Sequence, residues 1–183
     1  EAEAKPGTRN SEQAKLQHTI TALVENTPGV LARVAGLFSR RGFNIESLAV
    51  SITEDPSISR MTIVVGGDER ALEQIEKQLN KLIEVIKVYD YAEIPSVDRE
   101  LALVKVTATP EKRAEILQIS DIFRGKIIDV SERTLTIEVT GQVEKIDAFQ
   151  NLLEPYGIKE LVRTGKIALS RGARSAAEMR GSQ

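Results

Sequence analysis

The 183-residue chain contains no cysteine and no tryptophan. Without thiols it forms no disulfide, no thiolate nucleophile and no cysteine-ligated metal centre, and it suits a reducing compartment. Its single histidine, His18, opens a strand-like run with no partner nearby in sequence, which reads as structural rather than catalytic. No apolar run approaches the roughly 20 residues of a membrane span. Charge of neither sign dominates: 25 Lys and Arg stand against 27 Asp and Glu. No long-range field therefore draws the chain to nucleic acid or to an acidic membrane. There is no GxGxxG, no Walker A loop and no spaced His/Asp/Glu cluster for a metal. Gly66-Gly67-Asp68 shares only its glycines with a phosphate loop and reads as a strand-to-helix turn. Glu25 and Glu46 are the nearest thing to an acid–base pair, but exposed carboxylates are the default reading. Aromatics are few, four Phe and three Tyr, and none falls in Ser59–Gly66 or Thr134–Gly141, the strands that would stack bases in an RNA-recognition motif. These absences make an enzyme the weaker reading.

Hydrophobic periodicity is abundant. Residues 1–15 are polar and aperiodic and read as disordered. Glu1-Ala2-Glu3-Ala4 has none of the features of a signal peptide. From Leu16, alternation places Ile20, Ala22 and Val24 on one face of a strand. Val30, Leu31, Val34, Leu37 and Phe38 follow at helical spacing, with Arg40 and Arg41 at the negative end of the dipole and Gly42 as the stop. An extended stretch from Phe43 to Thr53, a turn at Glu54–Ser57 and an alternating strand with Met61, Ile63 and Val65 come next. A second helix carries Leu72, Ile75, Leu79, Leu82 and Ile83, and Val85–Tyr89 is a fourth strand. The order βαββαβ is a ferredoxin-like unit. It recurs. After a linker at 95–99, Ala102, Val104 and Val106 alternate. Ile116, Ile119, Ile122 and Phe123 stripe a helix that Gly125 ends. Strands at 127–130 and 134–141, a helix with Val143, Ile146, Phe149 and Leu152, and a strand at 158–162 complete the second unit. The expected fold class is α+β, two tandem ferredoxin-like units at 16–94 and 100–170, with a flexible tail at 171–183. Each unit is near the lower size limit for a self-sufficient core, and an open four-stranded sheet leaves edges and one bare face. Both features favour domain packing or dimerisation.

One stretch carries chemistry. In Glu25-Asn26-Thr27-Pro28-Gly29-Val30-Leu31 a strand ends in a turn that opens a helix. Thr27 reads as the N-cap and Pro28 as the first helical residue. Gly29 leaves bare backbone N–H groups at the positive end of the dipole, where a carboxylate can approach. The amide oxygens of Asn26 and Asn44 suit an ammonium, and Val30, Leu31 and Ile45 would enclose an apolar side chain. A helix of about four turns, 15–18 Å at 1.5 Å per residue, separates Asn26 from Asn44. One small ligand touches both only if two copies of the chain meet, so the spacing predicts a symmetric dimer. The second unit keeps Thr109-Pro110 but has Glu111 in place of Gly29 and Ile127 in place of Asn44, which predicts that it binds no amino acid in this manner. Arg33, Arg40 and Arg41 read as helix-end chemistry or a protein-contact patch.

Asn26-Thr27-Pro28-Gly29-Val30-Leu31, together with Arg41-Gly42-Phe43-Asn44-Ile45-Glu46-Ser47-Leu48, resembles the ACT domain of acetolactate (acetohydroxyacid) synthase regulatory small subunits. Asp98–Lys105, Phe123–Val130 and Val162–Gly172 resemble the same family, so the likeness spans both units. The resemblance implies a non-catalytic regulatory subunit. Its partner would be a catalytic large subunit, which carries thiamine diphosphate, magnesium and FAD and makes 2-acetolactate in branched-chain amino-acid synthesis. It implies activation of that partner and feedback inhibition by valine. The family's effector residues map to Asn26, Gly29, Val30, Leu31, Asn44 and Ile45, across an interface between two ACT domains. No cofactor, metal, nucleic acid or membrane is expected for this chain itself. The expected location is the cytoplasm, or a plastid or mitochondrion if a transit peptide has been removed. Two other readings stay open: an amino-acid-sensing transcription regulator, which needs a DNA-binding helix pair or basic patch, and a small stand-alone enzyme, which needs a catalytic constellation. Neither feature is visible in the sequence.

Overall fold

The computed structural model describes residues 17–92 and 94–172; the expected disordered start, and the tail from residue 173, lie outside them. Alternation builds the first strand, β1 (Gln17–Glu25), whose Ile20, Ala22 and Val24 are fully buried. It is followed by α1 (Val30–Arg40), β2 (Ile45–Ile52), β3 (Ile58–Gly66), α2 (Glu69–Leu79) and β4 (Val85–Asp90). The second unit repeats the order with β5 (Ser96–Thr107), α3 (Arg113–Ile122), β6 (Lys126–Val130), β7 (Thr134–Gly141), α4 (Val143–Leu153) and β8 (Ile158–Arg163). Both sheets are antiparallel, ordered β2-β3-β1-β4 and β6-β7-β5-β8. The two tandem ferredoxin-like units are therefore present, with β2 and β6 as matching edge strands.

Each unit has its own core between sheet and helices. Phe38, Ile63, Ile75 and Leu79 centre the first, and Ile116, Ile137, Phe149 and Leu153 the second. A buried side chain of this kind contributes about 1.5–3 kcal/mol. Phe123 and Phe149 pack tilted at 5.3 Å between ring centroids. Asp68 caps α2 through Oδ1, which accepts from the Ala71 N–H at 2.8 Å. His18 is buried, with Nε2 3.2 Å from the Gly67 carbonyl oxygen, a structural setting.

Four helix-face residues depart from expectation. Leu31, in the first turn of α1, is 45 % exposed. Ile83 is 92 % exposed because α2 stops at Leu79, so helical spacing no longer applies four residues later. Ile122 is 76 % exposed because it lies six residues, about 240° around the helix, from Ile116. Leu153, not Leu152, enters the core, being four residues past Phe149 and seven past Ile146. A larger departure concerns Ser96–Arg99, expected within the linker. These residues are the first third of β5 and pair with an unforeseen strand, β9 (Ile167–Ser170), in the register Ser96↔Ser170 to Arg99↔Ile167. A partner some seventy residues away supplies the pairing, and nothing local announces it. The β5–β9 ribbon lies against the sheet face opposite the N-terminal helices. There the Ala168 carbonyl accepts from Arg60 Nη1 at 3.2 Å and from the Tyr91 hydroxyl at 3.3 Å. The face expected to be bare is thus partly covered by the chain's own second unit.

Candidate functional site

The turn between β1 and α1 differs from the expected cap. Thr27 does not cap the helix. Gly29 does, at φ +85° and ψ −9°, and no side chain accepts from the first N–H groups. Pro28 followed by a glycine at positive φ is the backbone of a type II turn, whose third residue needs φ > 0. The Pro-Gly pair thus delays the helix until Val30. The result leaves the leading N–H groups of α1 without an intrahelical partner and without a side-chain lid. A Cβ added at Gly29 would meet only Arg33 Nη2, at 3.9 Å, so the approach is open.

Asn26 is held through its backbone and through its side-chain nitrogen. Its backbone N–H donates to the Ser57 carbonyl at 2.7 Å and its side-chain Nδ2 to the Pro56 carbonyl at 2.9 Å. That leaves Oδ1 as an acceptor beside the turn. The loop that holds it is itself tied: Asp55 Oδ1 accepts from the Ser57 hydroxyl at 2.7 Å and from its backbone N–H at 2.9 Å, which keeps the Asp55 carboxyl below the usual aspartate range.

Asn44 is exposed and follows a helix stop whose hydrogen bonds are those of a Schellman motif. Gly42 N–H reaches Ser39 O at 3.1 Å, Phe43 N–H reaches Phe38 O at 3.0 Å, and Gly42 has φ +72°. The strand register fixes how far apart the two asparagines stand. Glu25 pairs with Ile58 at one end of the ladder, while His18 pairs with Val65, which pairs with Ile45, at the other. Seven strand residues, about 23 Å, separate these ends. Within one chain Asn26 and Asn44 are not brought together. Of the apolar residues expected to enclose a ligand, Leu31 is 45 % exposed, Ile45 is half-buried, and Val30 turns its side chain into the core, offering only backbone.

Arg33, unlike Arg40 and Arg41 at the other end of α1, lies by the turn. It stands one helical turn above Gly29, and its guanidinium pairs with Glu84 at 2.8 Å while remaining half exposed. The signal was its spacing of four residues from Gly29, which puts both on one face of α1. In the second unit the matching turn carries Glu111 in place of the glycine. The Glu111 carboxylate takes its own backbone N–H and then the Thr109 hydroxyl, which hold it below the ordinary carboxylate range. Among the described residues no group of three or more His, Asp or Glu side chains is placed to hold a metal, and no helix is long and apolar enough to cross a membrane.

Residues 20–87 match the family described as the AHAS small subunit-like ACT domain, and residues 99–172 the small subunit of acetolactate synthase. A probable acetolactate synthase small subunit from Archaeoglobus fulgidus is 61% identical over 157 residues, covering 86% of this chain and 98% of that protein. The acetolactate synthase small subunit of Mycolicibacterium smegmatis is 56% identical, over 86% of this chain and 92% of its own length. Among solved structures, the acetolactate synthase small subunit of Thermotoga maritima superposes with a TM-score of 0.78 at 48% identity, covering 86% of this chain and 99% of that one. Two family matches that together span both units, and relatives at this identity over most of the chain, place it in the acetolactate synthase small-subunit family.

Proposed function

We propose that the chain is a non-catalytic regulatory subunit that activates an acetolactate synthase large subunit and makes it sensitive to valine. Valine would sit at the β1–α1 turn, with its carboxylate on the open N–H groups after Gly29 and its ammonium on Asn26 Oδ1. Arg33 beside Gly29 is already paired with Glu84, so the anionic group is held by the backbone N–H groups and the helix dipole. The observation that carries this reading is the uncapped, glycine-opened start of α1 next to an asparagine whose amide nitrogen is already spoken for.

The second half of the site comes from a second copy. β2 is an edge strand, and it runs from beside Asn44 to the loop that holds Asn26. Antiparallel pairing of β2 with the β2 of a second copy brings the start of one strand to the end of the other, and so one chain's Asn44 toward the other's Asn26. Thiamine diphosphate, magnesium and FAD belong to the large subunit in this scheme. Discrimination among valine, leucine and isoleucine is modest, since one methylene is worth only about 1–3 kcal/mol. Reconstitution with the large subunit tests the reading. The purified chain alone turns nothing over, its addition raises acetolactate formation, and valine lowers it again. Full activity in the presence of saturating valine would refute the sensor assignment.

A further inference from the structure

The second unit meets β2 at the turn between β8 and β9. β8 and β9 are joined by Thr164-Gly165-Lys166, and this turn rests on the start of β2 three residues past Asn44. The Lys166 N–H donates to Ser47 Oγ at 3.0 Å. Gly165 has φ +84°, and a Cβ there would lie 2.7 Å from Ser47 Oγ and 3.4 Å from the Leu48 carbonyl oxygen. Only glycine permits this backbone to approach so closely.

The turn has little slack on its own side. Before it, Arg163 is clamped to Glu100 by two bonds of 2.8 and 2.9 Å and to Asp147 by one of 2.7 Å. Thr164 is tied into β5, its N–H donating to the Leu101 carbonyl at 3.0 Å and its Oγ1 accepting from the Leu101 N–H at 3.1 Å. After it, Lys166 Nζ faces Asp98 at 3.6 Å, and β9 pairs with β5. On the β2 side, the ladder with β3 shifts register between Ile45 and Ser47, so Ser47 sits at an interruption of the pairing next to Asn44.

We infer that the Thr164–Lys166 turn passes the state of the effector end of β2, through Ser47, to the C-terminal unit. The inference rests on the valine-site reading above. A ligand that repositions Asn44 and Ile45 displaces Ser47, and a turn fixed at both ends either follows it or loses the contact. Either outcome gives the C-terminal sheet two arrangements that a ligand can bias.

The test uses the full chain reconstituted with its large subunit, L-valine as probe, and Ser47→Ala. The variant binds valine within about twofold of the wild type, by calorimetry on the chain alone. Its inhibition constant in the complex weakens roughly 2- to 10-fold, the worth of one neutral hydrogen bond. On the wild-type chain, valine changes amide hydrogen exchange across 158–170, and in Ser47→Ala that response shrinks. Inhibition of the variant identical to wild type, or exchange at 158–170 that ignores bound valine in the wild type, overturns the coupling. The exchange measurement on the wild type needs no variant to fold. A wild-type chain that binds no valine removes the site reading as well, whereas bound valine with an indifferent 158–170 removes the coupling alone.

Discussion

Gly29 does two jobs that are separable by experiment. Its positive φ shapes the type II turn, and its missing side chain opens the start of α1. Asn and Asp have the same shape, and both tolerate the left-handed region better than other residues, so Gly29→Asn and Gly29→Asp carry similar strain of about 1 kcal/mol. They differ in one negative charge placed against the ligand carboxylate. Calorimetric titration of the two full-length variants with valine should show the aspartate binding roughly 10- to 100-fold more weakly than the asparagine. Equal affinities would mean that no carboxylate lies at this turn. Thr27 teaches the complementary lesson. Ser, Thr, Asp or Asn before a helix normally signals the cap, but Pro-Gly immediately after it imposes a turn of its own and moves the helix start two residues on.

At the scale of elements, caps and stripes made most of the fold legible. Gly42 was read as the stop of α1 and does close it, through both bonds of the Schellman motif. The stripe errors at Ile83, Ile122 and Leu152 share one cause: apolar residues near helix ends were assigned to a period that had already ended or drifted. Long-range pairing was not legible at all, as Ser96–Arg99 and β9 show. The clamp that anchors β8 belongs to the same class, since Arg163 and Glu100 are 63 residues apart. Only 6 % of the Glu100 side chain is exposed, and Arg163 is its ion-pair partner. Arg163→Gln leaves a buried carboxylate without its ion-pair partner and should cost about 2–4 kcal/mol, below the fully buried range because the Arg163 side chain is 26 % exposed. Denaturant midpoints of the full chain measure this. Pairing Arg163→Met with Glu100→Leu should recover most of the loss, because the stranded charge is gone. A double variant as unstable as the single one would show that the clamp matters for more than charge compensation.

For the whole molecule, the separation of Asn26 from Asn44 is the decisive fact. In the proposed scheme each valine site takes Gly29 from one chain and Asn44 from another, so defects placed on opposite chains combine unevenly. A dimer with Gly29→Asp on one chain and Asn44→Ala on the other puts both defects in one site and leaves the second intact. Tandem-tagged purification of that mixed dimer, followed by calorimetry, should count half the valine sites of the wild type at unchanged affinity. Complete loss of binding would argue that each site lies within one chain.

The sequence by itself determined the two βαββαβ units, most of their core positions, the family, and the contrast between the open turn at Gly29 and its counterpart that carries Glu111. All of these rest on local rules: the periods 2 and 3.6, capping and turn chemistry, and motifs read in order along the chain. Only the tertiary structure decided that β5 reaches back to pair with β9, that Arg33 stands beside Gly29 with Glu84 as its partner, and that Lys166 meets Ser47. Each of these joins segments that are distant in sequence or turns on which way a side chain points. They depend on where whole elements come to rest, which no short window of residues encodes.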